Sequence, residues 1–288
     1  MKNISKQIFV ICATIVALSS CVKADYTAET SHPYQAEIIV TPDWSDIGSG
    51  ITPPEDIKVV IGGEVIDLGN GTLPLLEPGE YRIIIYNEVA QIDVTPTTVS
   101  RAVTVIGGAY ALLPVTGGFI PTSHDWFFSG YMEIVVERDK SYAREVVMNQ
   151  QTRELNFELT ITEGEASRIK SITAELSGVA QGWDLVADEP YGESVKVAPV
   201  FTLAGNKLTS QVRLLGIKGA TQVLTLNVTF TDDRTQTIVS DVTTQLAGFN
   251  SGKSLPMTLQ GNVNTPISSE QGGSITNWNV ITGNVTIN

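Results

Sequence analysis

The stretch Leu155-Asn156-Phe157-Glu158-Leu159-Thr160-Ile161 exchanges an apolar for a polar residue at every step, and Leu224-Thr225-Leu226-Asn227-Val228-Thr229-Phe230 repeats the pattern. A period of two sends successive side chains to opposite faces of an extended backbone. Each run therefore reads as a strand with one face in a core and one in water. The rest of the chain is a series of similar short runs. They cover residues 34–40, 57–61, 64–68, 80–86 and 102–106, then 131–137, 143–148, 154–162, 169–176, 195–203, 208–215, 222–231, 236–246, 254–259 and 275–287. Between them stand Pro53-Pro54, Gly62-Gly63, Gly69-Asn70-Gly71, Glu163-Gly164-Glu165 and Asp232-Asp233-Arg234. Such residues fix φ or tolerate positive φ, and polar pairs suit hairpin turns. No window makes an amphipathic helix, and residues 141–148 are the most ambiguous. Strands recurring at roughly 8–12 residues without intervening helices predict an all-β chain of two tandem antiparallel β-sandwiches of Greek-key type.

A chain of 288 residues is long enough for two such domains. The stretch with Gly107-Gly108, Pro114, Gly117-Gly118 and Pro121 is the poorest in strand signals. It predicts a boundary near residue 116, with an N-terminal sandwich over 34–115 and a C-terminal sandwich over 116–288. The second unit exceeds a minimal sandwich, and residues 182–192 read as one of its long hairpins or loops.

The first 20 residues form a separate unit. Lys2 and Lys6 precede an apolar run, residues 8–18, that is too short to span a bilayer. The run ends in Leu18-Ser19-Ser20-Cys21, an aliphatic residue and two small ones before cysteine. That is the pattern of a bacterial lipobox: small side chains fit the peptidase, and the Cys21 thiol takes the diacylglyceryl group. Residues 1–20 are thus expected to be a lipoprotein signal peptide, and residues 21–33 a lipidated cysteine and flexible tether. Loss of Lys2 and Lys6 moves the net charge from −13 to −15. Cys12 leaves with the signal and Cys21 carries the lipid, so no disulfide is expected. The expected location is the outer membrane, facing the cell surface, with attachment by two or three acyl chains.

The acidic balance excludes a phosphate-binding face, so no nucleic-acid partner is expected. Catalysis fails on inventory. The two histidines are His32, in the tether, and His124, in a loop beside Asp125 and Trp126. No G-x-S-x-G elbow, calcium loop or phosphate loop is present. The chain is expected to be no enzyme and to hold no cofactor or metal. The carboxylate pairs at Glu163/Glu165 and Asp232/Asp233 fall where turns need polar residues. Trp44 and Trp278 fit strand faces. Trp126-Phe127-Phe128 is either a plug between the domains or an exposed aromatic contact patch. The C-terminal residues Ile275, Val280, Ile281, Val285 and Ile287 form an apolar strand that either closes its own sheet or serves as a strand-exchange segment.

The order of several motifs resembles a known family. Beyond the lipobox, an early strand ends in Asp43-Trp44-Ser45, and Leu76-Glu77-Pro78-Gly79-Glu80-Tyr81-Arg82 runs into a strand ending in Tyr86-Asn87. Later come Ser177-Gly178, Thr229-Phe230-Thr231-Asp232, Asp241-Val242-Thr243 and Gly248-Phe249-Asn250. This order resembles the fimbrillin-associated lipoproteins of Bacteroidales, the anchor or accessory subunits of type V pili. The resemblance implies two transthyretin-like sandwiches and a cell-surface role in fixing or terminating a fimbria. It also implies fimbrillin-type subunits as partners, joined by strand exchange. The alternative is a surface glycan-binding lipoprotein of a nutrient-uptake system, with Trp126 or Trp183 as the sugar platform.

Overall fold

The structure, a computed structural model, describes residues 29–90, 92–95, 97–101, 118–120, 122, 125–265 and 272–283. The expected strand at 102–106, together with Cys21, His124, Val285 and Ile287, lies outside these residues. The described chain is almost entirely β, with one 3-10 turn at Ala166–Arg168 and one short helix, α1, at Thr243–Leu246.

The first sandwich packs two sheets over one core. Its larger sheet has the order β3-β2-β4-β7-β9, from Glu64–Asp67, Ile57–Ile61, Gly79–Asn87, Phe128–Val136 and Asn149–Gln150. Its smaller sheet pairs β1 (Ala36–Asp43) with β8 (Lys140–Val147). Ala36, Ile38 and Val40 on β1 meet Val59, Ile83, Ile85 and Ile134 from the larger sheet. The glycines Gly62-Gly63 make the tight β2–β3 hairpin in the left-handed region.

The second sandwich is larger. One sheet has the order β13-β14-β10-β17-β18, from Thr202–Ala204, Lys207–Leu214, Arg153–Glu163, Met257–Asn264 and Ser274–Thr282. The other runs β16-β15-β11-β6-β5, from Thr235–Asp241, Val223–Phe230, Ile169–Asp184, Thr98–Arg101 and Ile92–Val94. A further strand, β12 (Glu189–Val197), pairs with β11. The alternating runs named above are β10 and β15, and their apolar halves, among them Phe157, Leu159, Leu226 and Val228, fill the core between the sheets. Gly178 has φ of +74°, and a Cβ there would come within 2.4 Å of the Thr221 carbonyl oxygen. It marks the bulge at which the β11–β12 register shifts.

Two expectations are corrected. The sandwiches are not wholly antiparallel: β1 pairs with β8 and β10 with β17 in parallel. The second case arises because the chain leaves β16, crosses one end of the sandwich through α1, and enters the opposite sheet in the direction of β10. Residues 236–246 are accordingly not one strand. The Asp241 carboxylate accepts the Thr243 N–H at 2.9 Å, turning the chain into α1, and Leu246 enters the core. Residues 182–192, expected as a long hairpin or loop, are a hairpin. They form the tip of the β11–β12 hairpin, where Trp183 pairs with Pro190.

Strand pairing also divides the chain differently from a single cut near residue 116. β7 lies beside β4 in the first sandwich, whereas β6, earlier in sequence, pairs with β11 of the second. The chain crosses to the second sandwich after β4, returns before β7 and crosses again before β10. A turn-rich segment marks where a chain bends but not which sheet it enters next.

Candidate functional site

Trp126, Phe127 and Phe128 go to three different places, and none is an exposed contact patch. Phe127 is 0% exposed and sits between the domains with Val60, Ile84, Tyr86, Val89, Trp183 and Leu215. Phe128 is in the first core, edge-on to Trp44 at 5.5 Å. Trp126 is half-buried under the Arg213 guanidinium, 4.0 Å from its ring. The Asn87 side chain fixes the run: its Nδ2 donates to the Trp126 carbonyl at 2.8 Å and its Oδ1 accepts the Phe128 N–H at 2.7 Å.

Trp183 is 2% exposed, so it offers no platform to a sugar. Its indole N–H donates to Asp188 at 3.0 Å, and the Lys253 ammonium lies 3.1 Å from the ring centre. Sequence alternation could not single it out, because the neighbouring Ala180 and Gly182 carry little pattern. Burial pushes the Lys253 pKa well below the ordinary lysine value, opposed by the charge of Asp188. Folding therefore weakens proton binding there, and stability rises with pH toward the unfolded lysine value of about 10.4. The substitution Lys253→Met keeps the contact with Trp183 and removes the buried charge. It is expected to raise the melting temperature by about 2–4 °C at pH 7. Thermal melts should show that gap closing near pH 10; a gap constant with pH would contradict the assignment.

Behind this junction lies Arg153, 1% exposed at the start of β10. Among the described residues it pairs with no carboxylate. Its Nε donates to the Leu255 carbonyl at 2.7 Å, and one terminal nitrogen to the carbonyls of Gly248, Phe249 and Ser251 at 2.8, 2.9 and 2.8 Å. Those bonds shape the strap 248–255. Gln150 ties the strap to the first sandwich, donating to the Lys253 carbonyl at 2.8 Å and accepting from the Gly48 N–H at 3.0 Å.

The strap forms one wall of a groove of about 410 Å³. The other wall is the end of β18, with Val280 and Thr282, and Gln245 of α1 and Leu255 also line it. β18 pairs with β17 on one side, Val280 opposite Leu259. Val280 thus faces the same side as the fully buried Leu259, yet it is 40% exposed. The opposite sheet covers only the first half of β18. There Gly273 abuts Ile238, and the Trp278 indole donates to Ser240 on β16 at 3.0 Å. Trp278 finds room because Gly261, across the ladder, has no Cβ: one would stand 3.1 Å from the ring. A bulge at this point, with Asn277 at φ of +54°, separates the covered half from residues 279–282.

Of the predicted C-terminal residues, Ile275 is in the core, and Val280 and Ile281 lie in the second half of β18, which pairs only with β17 among the described residues; Val280 lines the groove. The whole strand, Ser-Ile-Thr-Asn-Trp-Asn-Val-Ile-Thr, contains neither charge nor proline. Sheet edges are usually guarded by such residues. The buried Gln245 side-chain oxygen in the groove has no donor among the described residues.

A family model described as fimbrillin-A associated anchor proteins Mfa1 and Mfa2 matches residues 57–288. The chain belongs to this anchor-protein family. No curated protein matches it in sequence. The fold of the anchor family is seen in the fimbrial anchor protein Mfa2 from Porphyromonas gingivalis, similar at 7% identity with a TM-score of 0.57 over 85% of this chain and 97% of that one. A candidate adhesin from Bacteroides ovatus is similar at 14% identity and a TM-score of 0.57, covering 77% of this chain and 86% of its own. A second from that organism gives 10% identity and 0.54, covering 87% and 93%. Membership in the anchor family gives the chain a fimbrial role at the cell envelope.

Proposed function

We propose that the protein is a lipid-anchored, non-enzymatic subunit of a type V fimbria. A lipid on Cys21 holds it at the outer membrane, on the cell-surface side, and it receives a fimbrillin-type subunit by β-strand addition along residues 279–282. The observation that carries this reading is the uncharged outer edge of β18, unpaired among the described residues, beside a groove with an exposed inward-facing Val280. A strand laid there would continue the sheet by main-chain bonds and set alternate side chains against Val280 and Leu255. Because Ser274–Thr282 already closes its own sheet, that segment acts as acceptor and not as donor.

The test is capture of the neighbouring fimbrillin-type subunit by the chain from residue 22 onward. Val280→Lys puts a charge into the groove at an exposed position and is expected to weaken capture at least tenfold while leaving the melting curve unchanged. Val65→Lys, at a 57% exposed edge residue of the first sandwich, is expected to leave capture intact. Equal capture by both variants would contradict β18 as the docking edge.

A further inference from the structure

The N-terminal tether ends at a built clamp. Asp139, in the turn between β7 and β8, is 3% exposed and holds φ of +57°, a conformation that costs energy for a residue with a side chain. Its carboxylate accepts the Glu29 N–H at 2.5 Å, the Thr30 N–H at 2.7 Å and the Thr30 hydroxyl at 2.8 Å. Its own N–H donates to the Gln35 carbonyl at 2.9 Å. Lys140 pairs with Glu29 at 2.6 Å, and the Thr30 hydroxyl accepts the His32 N–H at 3.0 Å. Residues 29–35 therefore wrap the β7–β8 turn before β1 begins, and this end of the expected flexible tether is fastened to the domain.

We propose that Asp139 is a positioning residue that locks the tether to one end of the first sandwich and thereby fixes which end faces the membrane. The inference rests on lipidation at Cys21. Seven residues separate Cys21 from Glu29. Fully extended, that segment reaches about 28 Å, so the end bearing Asp139, Gln35 and Glu77 stays near the bilayer. From there β1 and β8 run in parallel for eight residues to Asp43 and Val147, roughly 26 Å farther on. The strap 248–255 and the groove lie at that far end, tied through Gln150. Partner docking is then presented away from the lipid surface, on the side of the molecule opposite the clamp.

Two readouts separate this proposal from the lipid reading beneath it. In the chain from residue 22 onward, hydrogen exchange reads the clamp alone. The Glu29 and Thr30 amides are expected to be protected, with protection falling at least 100-fold in Asp139→Ala. In Thr30→Pro, which removes both Thr30 donors to Asp139 without touching the turn, protection at Glu29 should fall likewise. Amides that exchange freely in the wild type would overturn the clamp. Orientation is read on the full lipidated protein in vesicles with acceptor-labelled lipids, using donors attached at Glu77→Cys or Ser251→Cys. Transfer is expected to be at least twofold more efficient from position 77, and Thr30→Pro should bring the two together. Equal transfer in the wild type would overturn the orientation. Failure of the lipidated form to bind vesicles would sink the Cys21 reading and leave the exchange result standing.

Discussion

Replacing Arg153 with methionine is expected to lower the melting temperature by about 10 °C, although the methionine fills much of the same space. The guanidinium is buried without a counter-charge among the described residues, and burial lowers its proton affinity. What offsets that cost is its bonding to four backbone carbonyls in residues 248–255, together with stacking on Phe249 at 5.4 Å. Methionine leaves all four acceptors without a donor. Each stranded acceptor costs about 1–3 kcal/mol when buried. Ser251 and Gly252 are exposed, so water will reach part of the strap and the net loss should be about 3–4 kcal/mol. A chain of this size loses roughly 2–4 °C per kcal/mol. Arg153→Lys keeps the charge with fewer, differently placed donors and should fall between. Because the strap is one wall of the groove, capture of a fimbrial subunit should weaken with it. A thermal melt within 2 °C of the wild type would show that the strap holds its shape by other means.

The second large effect is expected from Trp183→Ala, at about 3–5 kcal/mol, the range for deleting a buried aromatic. Trp183 belongs by sequence to β11 of the second sandwich, but its neighbours include Val60, Ile84 and Tyr86 on the outer face of the first. Gly216 lies so close that a Cβ on it would stand 2.7 Å from the ring. Few other side chains could refill such a site. Removing the indole also strips Lys253 of its aromatic contact and Asp188 of its donor. Both losses fall on the junction, so cooperativity should suffer more than either core. Calorimetry should show the wild-type transition dividing into two, with the first sandwich unfolding apart from the second. A single transition at nearly unchanged temperature would refute the role of Trp183 in coupling them.

Much of the strand inventory was legible because its signals are local. β10 and β15 declared themselves by strict alternation. The turns at Gly62-Gly63 and Asp232-Asp233-Arg234 were named by residues that tolerate positive φ, and Asp233 does adopt it, at +61°. β5 and β6 were missed, since Ile92-Asp93-Val94 and Thr98–Arg101 are too short to show a period. Residues 236–246 misled because β-branched residues such as Ile238, Val239, Val242 and Thr243 continue on both sides of Asp241, where the backbone turns. At the candidate site, Val280 and Ile281 were visible as apolar residues near the chain end. Gln245 and Leu255 were not, because nothing local shows that α1 and the strap stand across from β18. Arg153 was invisible for a related reason: a charged residue at the start of an alternating run looks like a solvated end.

The sequence by itself determined that this chain is strand-built, where most strands begin and turn, and which face of each is apolar. Side-chain periodicity and backbone preferences settle those matters within a few residues. Only the tertiary structure decided which strands are neighbours: β7 beside β4, β6 beside β11, and β1 with β8 and β10 with β17 in parallel. Every extended backbone offers the same N–H and C=O groups to any partner. The choice falls to packing between residues distant in the chain, such as Phe127 against Trp183, and to single buried groups such as Arg153 and Asp139 that tie far segments together. The same non-specificity of the backbone is what the proposed strand addition along the second half of β18 would use.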